Sequence, residues 1–261
     1  MNILILGNNS FIGKSIIPEL SKNYSIYSTS RADLDLTSYT STREYIKKIK
    51  PDIIINTVFD GGSYKENTEK TYYNNIDMLR NLQHCRDLYS KLIIFGSGLE
   101  FSRPIDISKE IKSYFDAKIT CARIAYNDEQ IIKLNLFNVF GPLENSRRFV
   151  KNCIDNCKNG RDIIIENDRY FDLFYIGDLI RVIKHLINNP PESYYEMDVC
   201  YSDKLKLSET AQMIKELTKS DVSVNINSES YRNYIGNAEK LNELKLFLGG
   251  LRQGLENYIN G

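Results

Sequence analysis

Histidine and cysteine are scarce in this chain, and neither sign of charge is in excess. Of 261 residues, 2 are histidine and 5 are cysteine, while 34 lysines and arginines match 34 aspartates and glutamates for a formal net charge of zero. Balanced charge gives no support to nucleic acid or an acidic membrane as partner, because both reward a basic surplus. No apolar run reaches the length that spans a bilayer, and there is no internal repeat, low-complexity linker or charge block. The opening Met1-Asn-Ile-Leu-Ile-Leu-Gly7 has no basic leader and no small-residue cleavage site. It reads as a first strand, and the expected location is the cytoplasm. Cys85, Cys121, Cys153, Cys157 and Cys200 are odd in number and scattered, which fits free thiols in a reducing compartment and not a disulfide framework. Cys153 and Cys157 stand one helical turn apart, but a metal would need further ligands there. His84 and His185 both fall inside amphipathic helical patterns, so no metal site is expected.

At 42% hydrophobic and 26% charged residues, the chain is an ordinary globular one, long enough for one large core or a core with a smaller lobe. Short apolar runs at 2–6, 25–28, 52–57, 92–95 and 131–137 read as strands, and helical patterns at 12–22, 39–49, 69–89 and 114–126 fall between them. That alternation predicts an α/β fold, a Rossmann-type doubly wound parallel sheet wrapped by helices. After Gly141-Pro142 the pattern loosens: a helix near 147–159, short strands at 163–165 and 173–176, and a helix at 178–187. One more strand-helix passage follows, then a last helix near 251–259. The expected division is a first domain over 1–142, to which later segments return, and a small α/β lobe over 143–261.

The first strand runs into Gly7-Asn-Asn-Ser-Phe-Ile-Gly13. Gly7 allows a tight strand-to-helix turn and Gly13 a close approach of helix to strand. The N–H groups at the helix start, over Asn9, Ser10, Phe11 and Ile12, suit a pyrophosphate. Ser10 stands where a dinucleotide fingerprint has its central glycine, and its hydroxyl is a further phosphate donor. The second strand ends in Ser28-Thr-Ser-Arg31, three hydroxyls and a cation, where an acidic residue would accept the ribose 2′-hydroxyl of NAD. Ser30 and Arg31 suit a 2′-phosphate, so the expected cofactor is NADP(H); the plain alternative for Arg31 is a solvated loop cation. Leu36 and Thr57, at the end of the third strand run, complete the expected cofactor set.

Ser97 follows the strand-like run Lys91-Leu-Ile-Ile-Phe-Gly96, and Tyr114 and Lys118 lie in Ser113-Tyr-Phe-Asp-Ala-Lys118. A Tyr and a Lys four apart share a helix face, so the ammonium stabilises the phenolate and makes the Tyr a usable general acid. A Ser at a strand end supplies a second hydrogen bond to the same substrate oxygen, as a developing alkoxide requires. Taken alone, the pair also fits a surface Tyr and Lys that happen to be so spaced.

With Gly7 to Gly13, Ser97, Tyr114 and Lys118 in order, the chain resembles the extended short-chain dehydrogenase/reductases, the NAD-dependent epimerase/dehydratase family, that act on nucleotide sugars. Leu134-Asn-Leu-Phe-Asn-Val-Phe-Gly-Pro142 and Phe171-Asp-Leu-Phe-Tyr-Ile-Gly-Asp178 resemble two later family segments, so the likeness covers nearly the whole chain. Ser30-Arg-Ala-Asp-Leu-Asp-Leu36 and Phe59-Asp-Gly-Gly62 are most similar to GDP-fucose synthase-type reductases. The resemblance implies that 1–142 is the NADP-binding domain and 143–261 the mainly substrate-binding lobe. It implies Asp35 near the adenine, Asn75 as a structural helix residue, and Lys118 on the nicotinamide ribose as well as beside Tyr114. It places Gly98, Leu99 and Asn138 on the substrate side; Asn138 also fits a plain turn residue. Arg147 and Arg148 suit the diphosphate of a nucleotide sugar, or a solvated helix start. A homodimer through the helices at 69–89 and 114–126 is the family default.

The departures narrow the chemistry. In GDP-fucose synthase, which both epimerises and reduces, the epimerising step needs a Cys two residues after the Ser and a His soon after the Gly-Pro segment; here Leu99 and Ser146-Arg147-Arg148 stand there. The 4,6-dehydratases carry Asp-Glu directly after the hydroxyl residue, where this chain has Gly98 and Leu99. What remains is hydride transfer from NADPH to a sugar 4-ketone, with Tyr114 protonating the oxygen, as in deoxysugar or heptose nucleotides for a bacterial surface glycan. The usual Arg before Asp-Phe, a diphosphate contact, is Phe171 here, with Arg169 two residues earlier. An epimerase or dehydrogenase retaining its NAD, and a non-catalytic NADP sensor, are the other readings; a sensor has no use for Ser97, Tyr114 and Lys118.

Overall fold

The computed structural model describes residues 1–62, 67–100, 109–126, 128–230 and 232–261, with the side chains of 99 and 109–111 outside the described set. The first half runs β1 (Asn2–Leu6), α1 (Phe11–Leu20), β2 (Ser25–Thr29), α2 (Tyr39–Ile49), β3 (Ile53–Asn56), α3 (Glu69–His84), β4 (Lys91–Ser97), α4 (Lys109–Ala125) and β5 (Ile131–Leu136). The second runs β6 (Val139–Phe140), α5 (Phe149–Lys158), β7 (Ile163–Ile165), β8 (Phe174–Tyr175), α6 (Ile176–Asn188), β9 (Tyr195–Val199), α7 (Leu207–Thr218), β10 (Val224–Ile226), α8 (Glu239–Glu243) and α9 (Gly250–Asn260).

The main sheet has the order β2-β1-β3-β4-β5-β9, and β1 pairs in parallel with β2 on one side and β3 on the other. Covered on both faces, its central strands are continuous apolar runs: Ile3 to Leu6, Ile53 to Ile55 and Leu92 to Ile94 are all buried. β2, at the edge, is more exposed, with Tyr27 in the open. Helix starts are written in hydroxyls: Ser10 Oγ accepts from Gly13 N–H at 2.9 Å and Ser38 Oγ from Ser41 N–H at 3.4 Å, caps worth about 1 kcal/mol each. The chain leaves β1 for β2, then returns past β1 to β3. At such a reversal the loops beyond the strand ends part and leave a crevice.

The chain forms two compact units, Met1–Asn135 with Lys184–Glu196, and Leu136–Ile183 with Met197–Gly261. The division therefore falls at Asn135 and not at 142, and the returning segment is the end of α6 and the start of β9. β9 is a sixth strand of the main sheet that no strong apolar run announced. The second unit holds two parallel pairs, β6 with β8 and β7 with β10, packed with α5, α7 and α9 around Phe140, Ile154, Ile163, Leu173, Ile214 and Leu255. Several helix boundaries differ from the sequence reading, α4 among them, which begins at Lys109 and not at 114. α3 stops at His84 because the chain tightens into a 3-10 turn over Arg86–Leu88, anchored by buried Tyr89 donating to the Leu82 carbonyl at 2.8 Å. α6 starts at Ile176, directly after β8, where 173–176 read as strand. All five cysteines are free and buried, and no described helix is long and apolar enough to cross a membrane.

Candidate active site and cofactor pocket

A cavity of about 310 Å3 opens in the first unit where the sheet order reverses. Gly7, Asn9, Ser10, Ser30, Arg31, Asp35, Leu36 and Thr57 line it, and so do Thr29, Leu34, Val58, Phe59, Asp60, Asn74 and Met78, which the sequence reading did not include. Phe11, Ile12 and Gly13 form the first turn of α1. Gly7 takes φ +89°, and a Cβ there would come within 2.6 Å of Thr57 Oγ1; a Cβ on Gly13 would run into the Gly7 carbonyl oxygen. Both glycines are thus required by the turn itself. α1 has no acidic residue in its first turn, which leaves its positive end to an anion.

The Ser10 hydroxyl points inward. It caps α1 and lies 2.7 Å from Thr57 Oγ1, so Ser10 braces the turn. Ser30 gives both its N–H (2.9 Å) and its hydroxyl (2.7 Å) to Asp33 Oδ2. Asp35 accepts from Thr37 N–H at 3.0 Å and Thr37 hydroxyl at 2.7 Å, and these bonds, hydroxyl first, hold its carboxyl below the usual range. Arg31 is 77% exposed at its side chain, with Asp60 Oδ1 3.8 Å away. A glycine cradle, a bare helix end, and a cation beside an open cavity fit a dinucleotide with a 2′-phosphate.

Ser97 is the last residue of β4, and Tyr114 and Lys118 lie one turn apart on α4. Lys118 is buried and donates to the Phe95 carbonyl at 3.1 Å, two residues before Ser97. Its Nζ sits 3.7 Å from the Phe59 ring centre and 5.9 Å from that of Tyr114, and the Phe59 and Tyr114 rings meet edge-on at 5.3 Å. Phe59, at the end of the β3 loop, thus packs against both members of the pair, and a desolvated cation on its face is held by about 2 kcal/mol. Burial pushes the Lys118 ammonium down to about 8, against the opposing pull of Glu100. Gly98 and Leu99 form the following 3-10 turn with Glu100; the Leu99 side chain lies outside the described residues.

The other substrate-side residues are in the second unit. Arg148 hydrogen-bonds Asn138 Oδ1 through Nη2, and its Nε lies 3.3 Å from Glu144 Oε2, whose side chain is fully buried. Arg147 stands before α5, its N–H on Asn145 Oδ1 at 2.9 Å. Arg148 is therefore engaged inside its own unit rather than standing as a solvated helix start. Phe171 packs on Tyr234, ring centres 5.1 Å apart, and the Arg169 guanidinium lies 5.2 Å from the Phe171 ring.

Sequence reasoning passed over a buried charge cluster behind Ser97: Glu100, Lys133 and Glu196, linked by ion pairs of 2.6 and 2.7 Å. Its signal was Lys133 inside the apolar run of β5, since a charge there demands a partner.

The model of the family described as "NAD dependent epimerase/dehydratase family" matches residues 3–197. The CDP-abequose synthase of Yersinia pseudotuberculosis is 24% identical over 219 residues, 74% of this chain and 76% of that protein. The GDP-L-fucose synthase of Dictyostelium discoideum is 26% identical over 253 residues, 82% and 78% of the two. Among solved structures, GDP-mannoheptose C4 reductase from Campylobacter jejuni with NADP bound superposes with a TM-score of 0.79 at 18% identity, covering 99% of this chain and 97% of that one.

Proposed function

The chain belongs to the NAD dependent epimerase/dehydratase family, and within it we propose an NADP(H)-dependent reductase of a 4-keto sugar carried on a nucleoside diphosphate, working without ring epimerisation. The observation that carries this reading is Lys118, buried one turn beyond Tyr114 and tied to the Phe95 carbonyl at the end of the strand that ends in Ser97. A solvated helical lysine would not give up its water in this way. Relatives whose names are those of nucleotide-sugar synthases and reductases, one with NADP bound, support the substrate class.

When bound, reduced nicotinamide supplies a hydride to the ketone carbon. Tyr114 gives its phenolic proton to the carbonyl oxygen, and the Ser97 hydroxyl donates to the same oxygen as charge grows on it. Lys118, protonated, favours the phenolate that Tyr114 becomes. Gly7 to Gly13 would hold the pyrophosphate and Arg31 would meet the 2′-phosphate, while the Ser30 N–H and hydroxyl are engaged by Asp33. Leu99, standing where GDP-fucose synthase carries its epimerising Cys, cannot move a ring proton by that route. Asn138, Arg147 and Arg148 are the candidates of the second unit for the nucleotide sugar.

The test is NADPH against NADH oxidation with a panel of GDP-, CDP-, dTDP- and UDP-4-keto-6-deoxy sugars. Turnover with NADPH and formation of the sugar alcohol are expected. The variant Arg31→Ala should raise the KM for NADPH about 10- to 100-fold, the worth of a lost charge-assisted hydrogen bond, and leave NADH unchanged. No oxidation across the panel, with cofactor still bound, overturns the reading.

A further inference from the structure

The main sheet of the first unit contains a lysine with no business in a hydrophobic strand. Lys133 lies in β5 between Ile132 and Leu134, and its side chain is 3% exposed. Its ammonium is 2.6 Å from Glu100 Oε2 and 2.7 Å from Glu196 Oε1. Glu196 is fixed in turn by Asn135 Nδ2 at 2.9 Å and by the Tyr194 hydroxyl at 2.7 Å. Although burial works against it, these bonds, Lys133 first, hold the Glu196 carboxyl below the usual range. The second oxygen of Glu100 faces the other way and accepts the backbone N–H of Ser97 at 2.8 Å.

An ion pair as dry as Lys133–Glu100, 3% and 6% exposed, is a poor way to gain stability, because desolvation consumes most of the attraction. The place of these charges therefore asks for another reason. The strand itself makes room for them: a Cβ on Gly96 would strike Asn135 Oδ1 and stand 2.8 Å from Lys133 Cε and 3.1 Å from Glu100 Oε1. The cluster thus passes beneath the residue that precedes Ser97. Glu100 closes the turn over Gly98–Glu100, and its carboxylate draws on the Lys118 ammonium while Lys133 opposes it.

Resting on the reductase reading above, we propose that Glu100 is a positioning residue for proton delivery: its carboxylate, pinned by Lys133, which Glu196 holds from the other side, fixes the strand end that aims the Ser97 hydroxyl. Lys133, Glu100 and Glu196 make one cluster at the end of β4, and the charges of Glu100 and Lys133 act on Lys118 from it. The groups that act on Lys118 are Glu100 from the turn, Cys121 from its own helix and Lys133 from β5, with Phe59 on its face and the Phe95 carbonyl as acceptor.

Two variants test this in the full chain. Glu100→Gln keeps the shape and removes the charge; Glu100→Leu with Lys133→Met removes the acceptor and its paired cation together, so that Lys133 is not left buried opposite an apolar side chain. In both, kcat should fall about 10- to 100-fold, the scale of a misplaced catalytic group, with KM and cofactor affinity within about twofold. The alkaline limb of the kcat profile should move to lower pH in Glu100→Gln, since Lys118 loses a neighbouring negative charge. The Ser97 amide should exchange its hydrogen faster in the double variant. In a Ser97→Ala background Glu100→Gln should add little, because both act through one hydroxyl. A kcat within twofold of wild type in both variants, or a loss that persists undiminished with Ser97→Ala, overturns the proposal. Wild type that oxidises no NADPH overturns the reductase reading instead, and Ser97 amide exchange then decides the role of Glu100 by itself, an unchanged rate overturning it.

Discussion

The two units use buried charge for different ends. In the first, Lys133 pairs with Glu100 and Glu196, Glu100 takes the Ser97 N–H, and Lys118 donates to the Phe95 carbonyl, so the charges gather at the end of β4, beside the proposed reaction site. In the second, buried carboxylates gather loops. Asp178 accepts from Arg181 at 2.7 Å, the Tyr201 hydroxyl at 2.6 Å and the N–H groups of Gly249 and Gly250 at 3.1 and 3.2 Å. Asp172 takes Lys204 Nζ at 2.8 Å and Gly236 N–H at 2.7 Å, and Asp168 takes the Ser208 N–H and hydroxyl. A unit with only two two-stranded sheets has few ladder bonds to order its long connections, and a carboxylate with several lone pairs substitutes for them. Loss of a charge should therefore reach activity first in one unit and stability first in the other.

The largest effect expected is that of Tyr114→Phe, which should cut kcat by about two to four orders of magnitude and leave cofactor affinity and melting temperature as they are. Retained turnover would dissolve the contrast at its chemical end. Next, Asp178→Ala should lower unfolding free energy by about 3 kcal/mol, since it strands several buried donors at once; a denaturant titration reads it, and the kcat of the protein that remains folded should change little.

The pH dependence separates the two ends within one residue. Turnover should fall as pH rises through about 8, where Lys118 loses its proton. Stability moves the opposite way: the ordinary lysine value of 10.5 lies above the folded one, so between them the unfolded chain binds more protons and the cost of burying the Lys118 ammonium is relieved as pH rises. Comparing melting against pH in wild type and Lys118→Met isolates that contribution. The smallest effect is in the second unit. Burial lifts the Glu144 carboxyl to about 7, with Arg148 opposing, so its contribution is full at low pH and is lost as pH rises from the ordinary 4.5 through 7. Glu144→Gln should gain on wild type by on the order of 1 kcal/mol over that window, with no change in the kcat profile near pH 8.

Local signals were strongest where the backbone imposes its own terms. Apolar runs marked β1, β3 and β4 because strands covered on both faces admit little else, and Gly7 and Gly13 were visible because no side chain fits their turn. β9 was hidden: Tyr195-Glu-Met-Asp-Val199 alternates weakly, since its membership depends on a neighbour far away in sequence. Ser10 looked like a phosphate ligand, and only the fold shows its hydroxyl spent on the Gly13 N–H and on Thr57. Lys133 was the legible half of the buried cluster. Its partners were not, because Glu100 and Glu196 look like any surface glutamate until the sheet brings them within 3 Å.

The sequence by itself determined the alternation that makes a doubly wound sheet, the glycine turn after β1, and the order Ser97, Tyr114, Lys118. These are local or periodic properties, set by backbone sterics and by which face of an element meets water. Only the tertiary structure decided that Phe59 lies against both Lys118 and Tyr114, that Arg148 bonds Asn138 and Glu144, and that Glu100 spans Ser97 and Lys133. Those contacts join residues whose pairing has no local energy term, and desolvation, which sets their strength, exists only after the chain has closed around them.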